Sequence, residues 1–112
     1  MKVLIFGVLA GAALAAPVSA PARTFTGVIT DHMCADTGHA AMRMGPTDAE
    51  CTVACVQSHG AAYVLLAGKT VYILSNQQLP EQFAGEKVRV TGTLDAKTKT
   101  IAVDSIRPVR TR

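Results

Sequence analysis

Short alternating runs rich in β-branched residues fill most of this chain, and they limit it to a small, mainly β architecture. Five such runs are separated by turns containing Gly, Asp, Asn or Pro. They predict strands over residues 24–30, 62–67, 70–75, 87–94 and 100–106. In the last run Ile101, Val103 and Ile106 share the core face only if the register shifts near Ser105.

One segment between the first and second runs breaks this pattern and predicts a helix. Thr47 and Glu50 have the T-x-x-E spacing of a capping box. Asp48 adds a favourable negative charge to the first turn, and Gly60 suits the C-terminal cap. The sequence therefore predicts a helix over 48–58, inserted between strands one and two.

Together these elements predict a mostly β domain with one helix. The expected fold is a small five-stranded antiparallel barrel of the oligonucleotide/oligosaccharide-binding type, with a β-sandwich as the alternative. Residues 23–112 form this single domain, and a Cys/His-rich insertion occupies residues 31–60. Such a fold hosts many unrelated functions, so function has to be argued from a site.

The N-terminus has the layout of a secretory signal peptide. Lys2 precedes an uncharged apolar run over residues 3–16, and the segment 20–22 (A-P-A) fits the small-residue cleavage rule. The run is shorter than the ~20 residues of a membrane span, although a retained anchor is the alternative. Cleavage of residues 1–22 predicts a periplasmic or secreted protein without a membrane segment.

Charge and aromatic content give no support to nucleic-acid binding. The formal net charge is +3, and the aromatic residues are two Tyr and three Phe. A nucleic-acid surface needs a stronger basic field and aromatic stacking positions. No nucleic-acid partner is expected.

The chemistry is concentrated between residues 31 and 59, which hold all three cysteines, all three histidines and three of the four methionines. An exported compartment permits disulfides, but an odd count leaves one thiol over. Cys51 and Cys55 are four residues apart on the predicted helix, where Cβ atoms lie about 5–6 Å apart. A disulfide prefers about 3.8 Å. A structural staple would therefore join Cys34 to Cys51 or Cys55.

Two further interpretations use the same residues. Cys34, His39, Cys51 and Cys55 form a Cys₃His set that suits zinc, although their spacing matches no standard finger. Soft thioethers from Met33, Met42 and Met44 would also suit Cu(I), and His32 and His59 are extra candidate ligands. Alternatively Cys51, in the first helical turn, is a redox nucleophile. No hydrolase, phosphate-loop or metalloprotease motif is present.

The order of motifs resembles a family. The run F-T-G-V-I-T-D-x-M-C is followed by a His, C-x-x-x-C-V, G-A-A-Y-V-L and G-x-x-V-x-V-T-G-T-L. This order is similar to a group of short exported bacterial proteins known only as a domain of unknown function. The resemblance covers residues 23–108 and implies an exported, barrel-like bacterial protein with no stated activity. It carries over Cys34, His39, Cys51 and Cys55, and leaves out His32 and His59.

Overall fold

A computed structural model describes residues 7, 21–36, 38–41 and 43–110. The predicted signal peptide lies almost entirely outside these residues, as does Met42. Within the described part of the chain, no helix has the length and apolar character needed to cross a membrane.

The predicted strands and helix are all present, with ends within two residues of the predicted ones. Two short 3₁₀ turns, His39–Ala41 and Leu79–Phe83, complete the described elements. The strands are β1 Arg23–Asp31, β2 Tyr63–Ala67, β3 Thr70–Leu74, β4 Lys87–Asp95 and β5 Thr100–Pro108, and the helix α1, Asp48–His59, lies between β1 and β2.

The five strands form a closed ring in the order β1-β2-β3-β5-β4, with β4 pairing back onto β1. Four of the five pairings are antiparallel, and β3 pairs parallel to β5 through Ile73↔Thr100 and Leu74↔Ile101. The prediction of an antiparallel barrel was wrong at this pairing. Neighbouring strands cannot alternate in direction all around a ring with an odd number of members, so a closed five-stranded sheet must contain at least one parallel pair.

The register shift predicted near Ser105 is present. Thr91 pairs with Ser105, whereas the next residue, Gly92, pairs with Val103, so Asp104 is an extra residue on β5. A Cβ added at Gly92 would lie 2.2 Å from the carbonyl oxygen of Ala102. Gly92 therefore permits the close approach of β4 and β5 at this bulge.

The hydrophobic core fills the inside of the ring, and α1 packs against it through the half-buried Ala49, Val53 and Val56. Inward positions alternate with outward ones along β1 and β4, as expected for strands with one buried face. The core residues are Phe25, Ile29, Tyr63, Leu65, Leu74, Ala84, Val88, Val90 and Ile101.

The cap of α1 has the geometry that the sequence predicts. The Thr47 hydroxyl accepts a hydrogen bond from the Glu50 N–H at 3.1 Å, and the Glu50 carboxylate accepts one from the Thr47 N–H at 3.3 Å. Gly60 ends the helix in the left-handed conformation, with φ of 65°. These contacts fix where the helix starts, and hence the direction in which Cys51 and Cys55 point.

We expect Thr47→Ala to lower the free energy of unfolding by about 1 kcal/mol, because the Glu50 N–H loses the hydroxyl oxygen that accepts its hydrogen bond. Urea denaturation of the metal-free protein measures this loss. Ser58→Ala is the matched control, since Ser58 is an exposed residue of the same helix and such changes stay within about 0.5 kcal/mol. Equal unfolding midpoints for the two variants would contradict the role of the cap.

Candidate metal centre

Cys34 is held in place by a turn that Asp31 organises at the end of β1. The Asp31 Oδ2 atom accepts hydrogen bonds from the N–H groups of Met33 and Cys34, both at 3.1 Å. The Asp31 carbonyl accepts another from Ala35 at 3.0 Å. An aspartate that caps its own following turn is a common local motif. The turn directs Cys34 into the protein, where it is 3% exposed.

Cys51 and Cys55 lie on the inner face of α1, and both are fully buried. They form a second core cluster with Cys34 and Ala61, against which Met33 and Met44 pack. The Met44 N–H donates a hydrogen bond to the Cys51 sulfur at 3.3 Å. Backbone donors of this kind support thiolates that bind metals, as outer-shell partners do in metal sites generally.

His39 reaches the cluster from the 3₁₀ turn between β1 and α1. Its Nε2 atom lies 3.3 Å from the Thr30 hydroxyl, while its Nδ1 atom is buried and has no hydrogen-bond partner among the described residues. Metal-binding histidines usually donate their other ring N–H to a neighbouring acceptor. With Nε2–H donating to Thr30, Nδ1 carries the lone pair that a metal ion would use.

The donor atoms form two overlapping groups that share Cys34. The ligand atoms of Cys34, His39 and Cys51 lie within 4.8 Å of one another, as do those of Asp31, Cys34 and Cys55. Two sulfurs bound to one tetrahedral zinc ion through bonds of about 2.3 Å lie about 3.8 Å apart. Each group therefore comes close to the spacing of an ion's ligands, although neither holds all four predicted residues.

The structure thus brings the four predicted ligands near one another, in two overlapping groups, and leaves His32 and His59 outside both groups. His32 accepts a hydrogen bond from the Ala62 N–H at 2.9 Å, which fixes the chain at the start of β2. His59 is exposed at the end of α1. Asp31 is the donor that the sequence argument missed, because a single carboxylate at a strand end resembles an ordinary turn residue.

Burial controls the thiol chemistry. It raises the pKa of Cys34 well above the ordinary value, and a hydrogen bond to Asp31 and the charge of that carboxylate raise this pKa further. Burial also raises the pKa of Cys55, with the charge of Asp31 as the next cause. All three cysteines, which belong to the described residues, remain as thiols. The disulfide from Cys34 to Cys51 or Cys55 is therefore not formed.

Comparison with known families matches residues 56–109 to the family described as "Protein of unknown function (DUF5818)". This agrees with the resemblance to an uncharacterised family, over a shorter stretch than the predicted 23–108. The match begins one residue after Cys55, so it covers strands β2 to β5 and none of the four predicted ligands. No curated protein and no solved structure matches the chain. The similarity concerns the β scaffold and carries no activity.

Proposed function

We propose that this protein is a small exported metal-binding domain that ligates a transition metal, Zn²⁺ or Cu⁺, through Cys34, His39, Cys51 and Cys55. The observation that carries the proposal is that the turn after β1, the 3₁₀ turn and α1 bring all three cysteines and His39 into two overlapping donor groups. Thiolate and imidazole donors suit both ions. The role is metal storage, metal delivery or stabilisation of the domain by the ion.

Burial favours metal ligation over thiol redox chemistry. A redox nucleophile has to be accessible and largely ionised at neutral pH. Here Cys51 and Cys55 are 0% exposed, and burial favours the protonated forms of Cys34 and Cys55. Metal binding overcomes this preference because the ion displaces the thiol protons and replaces them with its own charge.

The buried nitrogen of His39 supports the same conclusion. An unpartnered buried polar atom is costly, and a native structure usually has a reason for it. A bound ion supplies the missing partner of Nδ1. A disulfide-stapled or purely structural domain gives this atom no function.

Metal analysis of the protein purified under reducing, anaerobic conditions tests the proposal directly. We expect at least one Zn²⁺ or Cu⁺ ion per chain to survive gel filtration after incubation with the metal. If the cysteines serve only as core residues or as a disulfide staple, the reduced protein should carry no tightly bound metal. That result would reject the proposal.

His39→Ala separates ligation from packing. We expect its metal affinity to fall by at least 10-fold, because one donor is lost, and the melting temperature of the metal-loaded form to fall with it. His59→Ala is the control, since His59 is exposed and lies outside both donor groups. The difference should vanish in chelator. Identical melting curves for the two variants in metal-supplemented, reducing buffer would contradict His39 as a ligand.

Export and fold type belong to the same proposal. The N-terminal pattern supports a bacterial signal peptide, which would place the mature chain in the periplasm or outside the cell. The closed ring of five strands supports an oligonucleotide/oligosaccharide-binding type of barrel. N-terminal sequencing of the exported protein, with Arg23 as the expected first residue, tests the cleavage site.

A further inference from the structure

The Asp31 carboxylate is the most unusual polar group in the described structure. Asp31 is 0% exposed. Oδ2 accepts two backbone hydrogen bonds and the Cys34 thiol lies within hydrogen-bonding reach of the carboxylate, but Oδ1 is buried and has no hydrogen-bond partner among the described residues. A buried carboxylate is expensive unless it is paired with a cation or fully hydrogen-bonded.

No lysine, arginine or histidine among the described residues forms an ion pair with the Asp31 carboxylate. Across the described residues the one ion pair is Arg43–Asp48 at 3.0 Å, and it lies on the surface rather than beside Asp31. The nearest chemistry to Asp31 is instead two buried sulfurs, since its ligand atom lies within 4.8 Å of those of Cys34 and Cys55. Carboxylate and thiolate together form a donor group for a divalent cation.

This donor group is distinct from the one that contains His39. Cys34 belongs to both, His39 and Cys51 to one only, and Asp31 and Cys55 to the other only. Each group has three donors, and each contains one buried atom without a hydrogen-bond partner: His39 Nδ1 in the first and Asp31 Oδ1 in the second. One buried atom without a hydrogen-bond partner in each donor group indicates two positions for a metal ion.

We propose that the centre takes two Zn²⁺ ions, bridged by the thiolate of Cys34. One ion is held by Cys34, His39 and Cys51, and the other by Asp31, Cys34 and Cys55. This inference rests on the proposed function and specifies its metal and stoichiometry. The three thiols release their protons to solvent as the ions bind.

Charge explains why two divalent ions suit this buried site. Three thiolates and one carboxylate carry a charge of −4 when His39 is neutral, and two Zn²⁺ ions cancel it. One Zn²⁺ leaves −2, and two Cu⁺ also leave −2, in a site that water does not screen. Uncompensated charge is costly in such surroundings, and oxygen ligands such as Asp31 suit zinc better than the soft Cu⁺ ion.

Zinc stoichiometry tests the inference. Reduced full-length protein is loaded with Zn²⁺ anaerobically, freed of loosely bound metal and analysed by native mass spectrometry and elemental analysis. We expect two ions per chain for wild type, one for Asp31→Asn and one for His39→Ala. Asp36→Asn is the matched control, since Asp36 is exposed in the same turn and outside both groups, and it should retain two.

Asn keeps an oxygen that accepts the Met33 and Cys34 hydrogen bonds, so the turn should survive in Asp31→Asn. One ion in wild type, or equal counts in Asp31→Asn and Asp36→Asn, would overturn the two-ion centre while leaving the proposed function intact. No tightly bound metal in wild type would reject both.

A second measurement needs no variant. Co²⁺ replaces Zn²⁺ as a paramagnetic probe, and a bridging thiolate couples the spins of two neighbouring ions. We expect the low-temperature paramagnetic resonance signal to grow up to one equivalent of Co²⁺ and then to fall as the second binds. A signal that stays proportional to bound Co²⁺ up to two equivalents would overturn the bridge.

Discussion

Cys34→Ser is expected to abolish tight metal binding, which is the largest effect of any single substitution in this protein. Cys34 is the one residue that belongs to both donor groups. Metal present at 1,000 times its dissociation constant stabilises a protein by about 4.1 kcal/mol. For a domain of this size, that corresponds to a shift in melting temperature on the order of 20 °C. We expect the metal-supplemented variant to melt at or below the temperature of the metal-free wild type.

Melting curves in reducing buffer, with Zn²⁺ and then with chelator, measure this effect. Met33→Leu is the control, because Met33 packs against the same cluster and is only partly buried. The control should keep its response to metal, since leucine fills a similar volume. A Cys34→Ser protein that still gains the full stabilisation from Zn²⁺ would show that Cys34 is not a ligand.

The second large effect concerns pH, and it has opposite signs in the two forms of the protein. In the metal-free form the folded state holds the protons of Cys34 and Cys55 more tightly than the unfolded chain, because burial raises both pKa values above 9.0. The unfolded chain therefore loses protons first as the pH rises. The stabilisation from these protons is fully present at neutral pH and declines above about pH 9, by at most about 1.4 kcal/mol per pH unit for each thiol.

In the metal-loaded form the thiol protons are already gone, so this loss should disappear, and metal affinity should rise with pH instead. Urea denaturation between pH 7 and 10.5, with metal and with chelator, measures both trends. In the metal-free Cys34→Ser variant, the free energy of unfolding should decline less steeply with pH, because one of the two thiols has been removed. A metal-free wild type equally stable at pH 7 and pH 10.5 would contradict buried, protonated thiols.

The secondary structure could be predicted because its causes are local. The alternation of β4, the capping box at Thr47 and the glycine at Gly60 each specify a geometry within a few residues. The parallel pairing of β3 with β5 could not be found this way, since it depends on closure of the whole ring. The extra residue at Asp104 was predictable because the apolar positions of β5 change phase there.

The sequence predicts where the candidate donors cluster, but it predicts neither their arrangement nor the presence of Asp31 among them. Clustering along the sequence identified the cysteines and, together with the family resemblance, His39. The residue type makes His32 and His39 equal candidates as metal ligands. The tertiary structure distinguishes them, because His32 accepts a hydrogen bond from the Ala62 N–H at the start of β2. Asp31 was missed for the same reason: its burial results from tertiary contacts, whereas its sequence position suggests only a turn.

The depth of the sulfurs has a kinetic consequence. Cys34, Cys51 and Cys55 are at most 3% exposed, so an ion bound by them would enter or leave only when α1 or the turn that carries Cys34 opens. Local opening has its own free energy, separate from the strength of the metal–ligand bonds. If the proposed metal is bound, its residence time should be set by the opening of the protein, and a competing chelator should remove the ion at a rate independent of the chelator's concentration. Slow exchange of this kind would favour retention of the proposed metal over its rapid delivery to another protein.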